Sequence, residues 1–320
     1  LHDALLAREK RAKRWRNVVP RAPGLSEINS VPGGPFSMIG MGEEIGSSEF
    51  PEADYTTFGE RLTAETGLLA AWWADGALAD EDFTWGFEVE AWLLDHNYFP
   101  NPVNEALLRR LDDPDVVPEL SRFNVELNTP VRRFSADTFA GAEVTLTALW
   151  QRCNRVAHDL DTNIVLAGTL PTIRDADLSL ANISPLKRFH ALNNGILRQR
   201  GGVPIEVNIE GEESLRVRHA DVMLEAAATS FQVHLRVAPE AFAATYNALQ
   251  LVTPLALALS ANSPVLLGHR LWHETRIALF KQSIDVRRPE REYWRPPARV
   301  SFGSGWVRRG VGELFAEGVR

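Results

Sequence analysis

The sequence predicts an α+β protein built on an antiparallel β-sheet with helices packed on its outer face. Short segments rich in β-branched and aromatic residues, bounded by turn residues, are typical of strands. Longer segments rich in Ala and Leu, with apolar residues every three or four positions, are typical of helices. The two kinds of segment do not alternate regularly, which favours an antiparallel sheet over a doubly wound parallel one.

We expect three long helices and five strands among these segments. The helices are predicted over Phe58–Trp73, Ala140–Asp159 and Pro239–Leu259. The strands are predicted over Thr84–Leu94, Phe123–Asn128, Asn163–Ala167, Ile205–Ile209 and Ser230–Val237. The sequence contains no Walker-type or Rossmann glycine loop, so any ATP must be held by another route.

Composition and charge narrow the class of protein. The 320 residues are 45% hydrophobic and 24% charged, which suits one large domain or two modest ones. Cys153 is the single cysteine, so no disulfide can form within the chain, and a cytoplasmic location is the default expectation. The net charge of −8 argues against a general nucleic-acid binder. The stretch Leu251–Leu267 is interrupted by Pro254 and Pro264, so we expect no membrane span of about 18 residues.

The start of the chain differs from the rest. Lysines and arginines crowd the first 16 positions, and residues 18–42 are rich in Pro, Gly and Ser without a hydrophobic period. We expect residues 1–40 to be a basic, Pro/Gly-rich extension that is disordered or partly helical. Residues 41–320 are then the folded unit.

Polar side chains lie two positions apart on three of the predicted strands. Because successive side chains of a strand point to opposite faces, such residues share one face of the sheet. The residues concerned are Glu88 and Glu90 on the first strand, Glu126 and Asn128 on the second, and Gln232, His234 and Arg236 on the last. Each set lies opposite apolar residues, so the three faces could together line one pocket.

This set of side chains suits a divalent cation and phosphate. Adjacent carboxylates such as Glu88 and Glu90 repel each other, and Mg²⁺ or Mn²⁺ with oxygen ligands removes that conflict. The imidazole of His234 is suited to metal or phosphate. Alternation does not place Glu119 on this face, and Asn128 could instead start an Asx-turn. Taken singly, each strand could also be an ordinary solvent-facing one.

Two arginines follow the helix that ends near Ser260. A turn is predicted at Asn262-Ser263-Pro264, and Arg270 and Arg276 are expected on a further helix. Arginine is suited to forked recognition of phosphate or carboxylate. Arg276 is followed by apolar residues, which favours a role in a site over a merely solvated charge.

Together the motifs resemble the second bacterial branch of the glutamate–cysteine ligase family, the carboxylate–amine ligase type. They are GFEVEAWLLD, FNVELNTPV, LAGTLPT, SFQVHLRV and LALSANSPVLLG followed by ETR. The resemblance implies a glutamine synthetase-like or guanidino kinase-like catalytic domain with a curved antiparallel sheet. It also implies a ligase of glutathione biosynthesis that uses ATP and Mg²⁺ (or Mn²⁺). Such an enzyme phosphorylates a substrate carboxylate, and an amine then displaces the phosphate.

The resemblance also implies roles for individual residues. Glu88, Glu90 and Glu126 match acidic metal ligands, and Asn128, Gln232 and His234 match positions that complete the metal and phosphate contacts. Arg276 matches the arginine expected to meet phosphate, so Arg276 and His234 are the candidate catalytic residues. Arg236, which shares the strand face, joins Gln232, His234 and Arg276 as a candidate ATP-binding residue.

Several alternatives remain open at this stage. Family members of this type continue beyond the point where this chain stops, so we expect residues 41–320 to be a C-terminally incomplete catalytic domain. The main alternative is a non-catalytic or regulatory relative that binds nucleotide or amino acid. A guanidino-substrate phosphotransferase ranks last, because no reactive cysteine lies near the motifs. The expected partners are small amino-acid and amine substrates, and the chain could assemble as a homo-oligomer.

Overall fold

The computed structural model describes residues 44–78, 83–287 and 298–318. The predicted extension, residues 1–40, lies outside the described residues. Within them the protein is a mixed α/β structure with an antiparallel sheet and accompanying helices, as the sequence predicts. All five predicted strands and all three predicted helices are present, with ends that differ by a few residues from the sequence pattern.

A six-stranded sheet is organised around one long central strand, β1 (Thr84–Leu94). The other five strands are β2 (Val116–Pro118), β3 (Asn124–Asn128), β4 (Arg132–Arg133), β5 (Asn163–Val165) and β8 (Phe231–Arg236). One edge of β1 pairs with β3 and β4, and β2 pairs with the outer edge of β3. The other edge of β1 pairs with β8 and β5, and every pairing is antiparallel.

Helices and two hairpins surround this sheet. The α-helices of the described residues are α1 (Glu52–Ala74), α2 (Asn104–Leu111), α3 (Thr138–His158), α4 (Lys187–Gln199), α5 (Phe242–Ser260), α6 (Thr275–Ser283) and α7 (Gly312–Gly318). One hairpin joins β6 (Ile205–Glu210) to β7 (Ser214–His219), and a shorter one joins β9 (Val265–Leu266) to β10 (His269–Arg270). Arg270 therefore lies on a strand, and the prediction that it shares a helix with Arg276 is wrong.

The back face of β1 forms one hydrophobic core with α2 and α3. Val89, Ala91 and Leu93 alternate along the strand and are buried against side chains such as Leu107 of α2 and Leu149 of α3. Alternation of apolar residues on a strand and an apolar stripe on a helix produce this kind of layer. The back face of β1 is thereby occupied by protein.

The front face of β1 is divided along its length. Trp92 and Leu94, at its end, belong to a second hydrophobic core that includes Phe123, α4 and the β6–β7 hairpin. The indole of Trp92 stacks on Phe123 with ring centroids 5.9 Å apart, and its Nε1 donates to the carbonyl of Ala167 at 2.8 Å. This packing closes one end of the face and leaves the part that carries Glu88 and Glu90 for polar residues.

The reverse face of β8 is more exposed than the sequence pattern predicts. Phe231 and Val233 are 56% and 57% exposed, although both alternate with polar residues as core residues of a strand do. Phe231 touches Phe87 edge-on, with ring centroids 5.2 Å apart. Helices α2 and α3 cover the neighbouring β1 but do not extend over β8 in the described part of the chain.

One helix of the described residues has the length and apolar composition of a membrane span. It covers Pro239–Ser260, 22 residues with a mean hydropathy of 1.3 in its most apolar window, and none of that window is buried. The finding corrects the expectation that no apolar segment reaches the length of about 18 residues that a membrane span needs. Core helices of soluble proteins also meet this criterion. The side chain of Asn247 on this helix is hydrogen-bonded to the backbone N–H and carbonyl of Val307, at 3.0 and 2.7 Å.

A buried asparagine at the start of α2 links the connection between β2 and β3 to the segment that precedes α4. Asn104 is fully buried, and its Nδ2 donates to the Ser184 hydroxyl at 3.0 Å and to the carbonyls of Ser121 and Asn124 at 3.1 and 3.3 Å. The Ser184 hydroxyl in turn donates to the carbonyl of Glu119. Asn104 thus holds the backbone that connects β2 to β3.

We predict that Asn104→Ala lowers the free energy of unfolding by about 2–3 kcal/mol, because three buried acceptors lose their donor. Chemical denaturation followed by circular dichroism measures this change. The exposed Asn208 on β6 is the matched control, and Asn208→Ala is expected to cost less than about 0.5 kcal/mol. Equal effects of the two substitutions would contradict this role of Asn104.

Candidate functional site

The strand register brings the predicted polar residues onto one face. Glu88 of β1 lies directly between Asn128 of β3 and Gln232 of β8, and Glu90 lies opposite Glu126. Directly paired residues of antiparallel strands share a face, with Cβ atoms about 4.5–5.5 Å apart. The three polar stretches identified in the sequence therefore form one surface, which we call the acidic face.

Three carboxylates of the acidic face are grouped closely. Oxygens of Glu90, Glu119 and Glu126 all lie within 4.8 Å of one another. Sequence alternation excluded Glu119 from this face, and that prediction is wrong. Glu119 directly follows β2, whose last residue Pro118 pairs with Val125 of β3, so the backbone brings Glu119 beside Glu126. The β-branched residues before Pro118 and the short connection to β3 were the sequence features that could have indicated a hairpin here.

Each carboxylate of this group is held by neighbouring donors. Glu90 accepts hydrogen bonds from the Ser230 N–H at 2.9 Å and the Ser230 hydroxyl at 2.6 Å, and from Gln232 Nε2 at 3.3 Å. Glu126 accepts one from Asn128 Nδ2 at 2.9 Å, and Glu119 accepts one from the Leu120 N–H at 3.0 Å. The side chain of Asn128 therefore orients Glu126 and does not start the Asx-turn that was the alternative prediction.

Burial and mutual repulsion favour the protonated form of Glu90 and Glu119 in the metal-free protein. Burial, and then the charges of Glu90 and Glu126, raise the pKa of Glu119 well above its usual range. Burial also raises the pKa of Glu90, against hydrogen bonds from Ser230 that lower it. A cation bound between the three side chains would remove this conflict.

Glu88 has a separate partner. Its Oε2 lies 3.1 Å from Nε2 of His234, which is half exposed, so Glu88 is not one of the three grouped carboxylates. Burial and the charge of Glu126 raise the pKa of Glu88, and His234 opposes that shift. Arg236 lies one register step further along the face, opposite Thr84. The structure thus divides the predicted metal ligands into a Glu90–Glu126 pair and a Glu88–His234 pair.

Arg276 lies beside the acidic face at the start of α6. Its Nε and Nη2 donate to the carboxylate of Glu274 at 2.7 and 3.3 Å, and its Nη1 donates to the carbonyl of Thr229 at 3.2 Å. Thr229 directly precedes Ser230, which binds Glu90. Arg276 is therefore anchored to the same segment as the acidic face, and its guanidinium is oriented by a carboxylate.

A further acidic residue, Glu225, was not identified from the sequence. It begins a short 3₁₀ turn, Glu225–Ala227, and its Oε2 is buried without a hydrogen-bond partner. Burial, followed by the charge of Glu90, raises the pKa of Glu225 to about 7. Its neighbours Met223, Leu224 and Ala226 are apolar, and this setting was the sequence signal that could have indicated a buried glutamate.

The residues of the acidic face fit a hard divalent cation. Carboxylate oxygens are the ligands that Mg²⁺ and Mn²⁺ prefer, and octahedral Mg²⁺ with ligands at about 2.1 Å places its oxygens within about 4.2 Å of each other. The observed limit of 4.8 Å between the three carboxylates is close to that spacing. Glu90, Glu119 and Glu126 could therefore hold such an ion with small side-chain adjustments.

Grouped carboxylates on one face of an antiparallel sheet, with helices on the other, form an arrangement that suits a divalent cation. Residues 84–291, well over half of the chain, match the family described as glutamate-cysteine ligase family 2 (GCS2). The chain belongs to this family, as its motifs predict. Members are generally ligases, so at this level the protein is a ligase of the carboxylate–amine type. Comparison with curated proteins gives no match.

We predict opposite effects of Glu119→Gln on stability and on metal response. Without metal, burial and the charges of Glu90 and Glu126 disfavour the Glu119 carboxylate, so the neutral amide should raise the free energy of unfolding. With Mn²⁺ at about 100 times its Kd, the wild type should gain about 2.7 kcal/mol, and the variant much less.

Thermal unfolding with and without Mn²⁺ measures both effects. The exposed Glu143 on α3 provides the control, because Glu143→Gln keeps the acidic face intact. An Mn²⁺ response that is the same in Glu119→Gln and in the wild type would contradict the assignment of Glu119 to the metal site.

We also predict a pH dependence that comes from Glu225. Its pKa is about 7 in the folded protein against an ordinary value of 4.5, so the folded state binds the proton more tightly than the unfolded state. The resulting stability is fully present below about pH 4.5 and is lost as the pH rises through about 7. Relative to Glu225→Gln, the metal-free wild type should lose on the order of 3 kcal/mol across this range. Denaturation at a series of pH values measures the difference, and parallel curves for the two proteins would contradict it.

Proposed function

We propose that the protein is an ATP-dependent carboxylate–amine ligase that forms an amide through an acyl phosphate. Glutamate and cysteine are the proposed acid and amine, which places the reaction in glutathione biosynthesis. The observation that carries this proposal is the grouping of Glu90, Glu119 and Glu126 on a sheet face within the region that matches the ligase family. The proposal includes a curved, glutamine synthetase-like sheet and a cytoplasmic location.

The proposed reaction has two steps. An oxygen of the substrate carboxylate attacks the γ-phosphorus of ATP, the bond to ADP breaks, and an acyl phosphate forms. The amine nitrogen then attacks the acyl carbon, phosphate leaves, and the nitrogen loses a proton. A bound divalent ion would neutralise charge on the phosphates during the first step.

The protein side chains would position the reactants and complement their charges. Phosphoryl transfer depends mainly on positioning and electrostatic stabilisation, and this sheet could provide both without a glycine-rich loop. Asn128, Gln232 and Ser230 orient the carboxylates that would hold the ion. The guanidinium of Arg276 is preoriented by Glu274, and it would bind phosphate by exchanging that carboxylate for a phosphate oxygen.

The proposal is tested by hydroxamate formation from ATP, L-glutamate and hydroxylamine with Mg²⁺ or Mn²⁺. Hydroxylamine is uncharged near neutral pH and traps an acyl phosphate without needing an amine-recognition site. Glu126→Gln should lower turnover about 100-fold, which corresponds to about 2.7 kcal/mol of lost transition-state stabilisation. Glu143→Gln should stay within about two-fold of the wild type, because its effect should lie within the range of ordinary surface substitutions.

Two outcomes would change the assignment. Unchanged turnover in Glu88→Ala would remove Glu88, already paired with His234, from the proposed metal ligands. Calorimetric binding of ATP with Mg²⁺, together with no phosphate release over a panel of amino acids and amines, would favour the non-catalytic relative.

A further inference from the structure

A concave site lies on the far side of the segment that joins the turn Glu225–Ala227 to Ser230 of the acidic face. It is a cavity of about 390 Å³ between α4, the turn Glu225–Ala227, α6 and the segment that follows residue 298. Its walls are mostly apolar, with Leu192 and Ile196 from α4 and Phe280 from α6. Cavities of about 300 Å³ and more are typical of small-molecule sites. We call this space the side cavity.

Two residues of opposite charge, Glu225 and Arg299, are among those that line the side cavity. The Oε2 atom of Glu225 is buried without a hydrogen-bond partner. A buried carboxylate oxygen without a donor costs free energy, which a cationic ligand would recover. The raised pKa of Glu225 is consistent with this missing partner.

The side cavity adjoins the proposed reaction centre along two elements. The turn that carries Glu225 continues directly to Ser230, whose N–H and hydroxyl bind Glu90. On α6, Phe280 follows Arg276 by four residues, so the two side chains lie on the same side of the helix. The charge of Glu90 also contributes to the raised pKa of Glu225.

We propose that the side cavity binds the ammonium and carboxylate end of an α-amino-acid substrate, with the ammonium at Glu225 and the carboxylate at Arg299. The apolar walls would contact the aliphatic part of the ligand. The inference rests on the proposed ligase function for its connection to catalysis. Either the acid or the amine of the reaction carries this chemistry, and the experiment distinguishes the two.

Direct binding tests the cavity without any turnover. Isothermal titration compares the binding affinity of each amino acid with that of an analogue that lacks the ammonium group. The pairs are L-glutamate with glutarate, and L-cysteine with 3-mercaptopropionate. The wild type should bind at least one amino acid ten-fold or more tightly than its ammonium-free analogue. Glu225→Gln should abolish that preference, and Glu240→Gln, an exposed glutamate in the turn before α5, should keep it.

The preference is the ratio of the affinity for the amino acid to the affinity for its ammonium-free analogue. A general loss of folded protein in Glu225→Gln would lower the binding of both ligands and leave this ratio unchanged. Arg299→Gln, at an exposed position, supplies a second readout. If the amine substrate occupies the cavity, Arg299→Gln should weaken the binding of L-cysteine more than that of cysteamine, which lacks the carboxylate. Preferences that are the same in Glu225→Gln and in the wild type, or no amino-acid binding to the wild type at millimolar concentration, would overturn the proposal.

Kinetics identify which substrate uses the cavity. If L-glutamate does, Glu225→Gln should raise its KM at least ten-fold in the hydroxamate assay. If the amine does, the ratio of L-cysteine ligation to hydroxamate formation should fall at least ten-fold, with the KM for L-glutamate kept. A wild type that binds amino acids with the predicted preference but forms no hydroxamate would refute the ligase function and retain the site.

Discussion

Oxygens of Glu90, Glu119 and Glu126 lie within 4.8 Å of one another, and like charges at that separation repel each other strongly in a partly buried setting. Much of the surrounding structure holds them together against this repulsion. Ser230 and Gln232 bind one carboxylate and Asn128 binds another. The closeness that suits the site to a cation therefore acts together with burial to raise the pKa of Glu90 and Glu119 in the metal-free protein.

The scaffold reaches this arrangement by dividing the faces of a single strand. The back of β1 is buried against α2 and α3, and the end of its front face is closed by Trp92 and its stack on Phe123. Between them lies a short polar area, wide enough for side chains from β3 and β8 as well as β1. Asn104 and Ser184 fix the connection that brings Glu119 to the same place.

Strand alternation predicted the part of this site that is formed by residues close together in sequence, because residues two positions apart on a strand share a face. Glu88 with Glu90, and Glu126 with Asn128, share faces for that reason, and the register of β1 and β3 then joins the two pairs. To place Glu119 in the site, one must know which strands pair. To place Glu225 near it, one must know how a short turn packs against α6. The exposed reverse face of β8 was also unpredictable, since its pattern matches that of a buried strand while helix placement decides its burial.

Cys153, the single cysteine of the chain, is fully buried on α3 in the core behind the sheet, and burial raises the pKa of its thiol to about 11. A thiol of that kind is almost entirely protonated near neutral pH and out of reach of oxidants, so it does not readily exchange with disulfides or form sulfenic acid. A thiol-bearing substrate would thus meet no reactive thiol of this chain. The same property makes the natural chain a ready background for single-site chemical labelling, because a cysteine introduced on the surface would react alone.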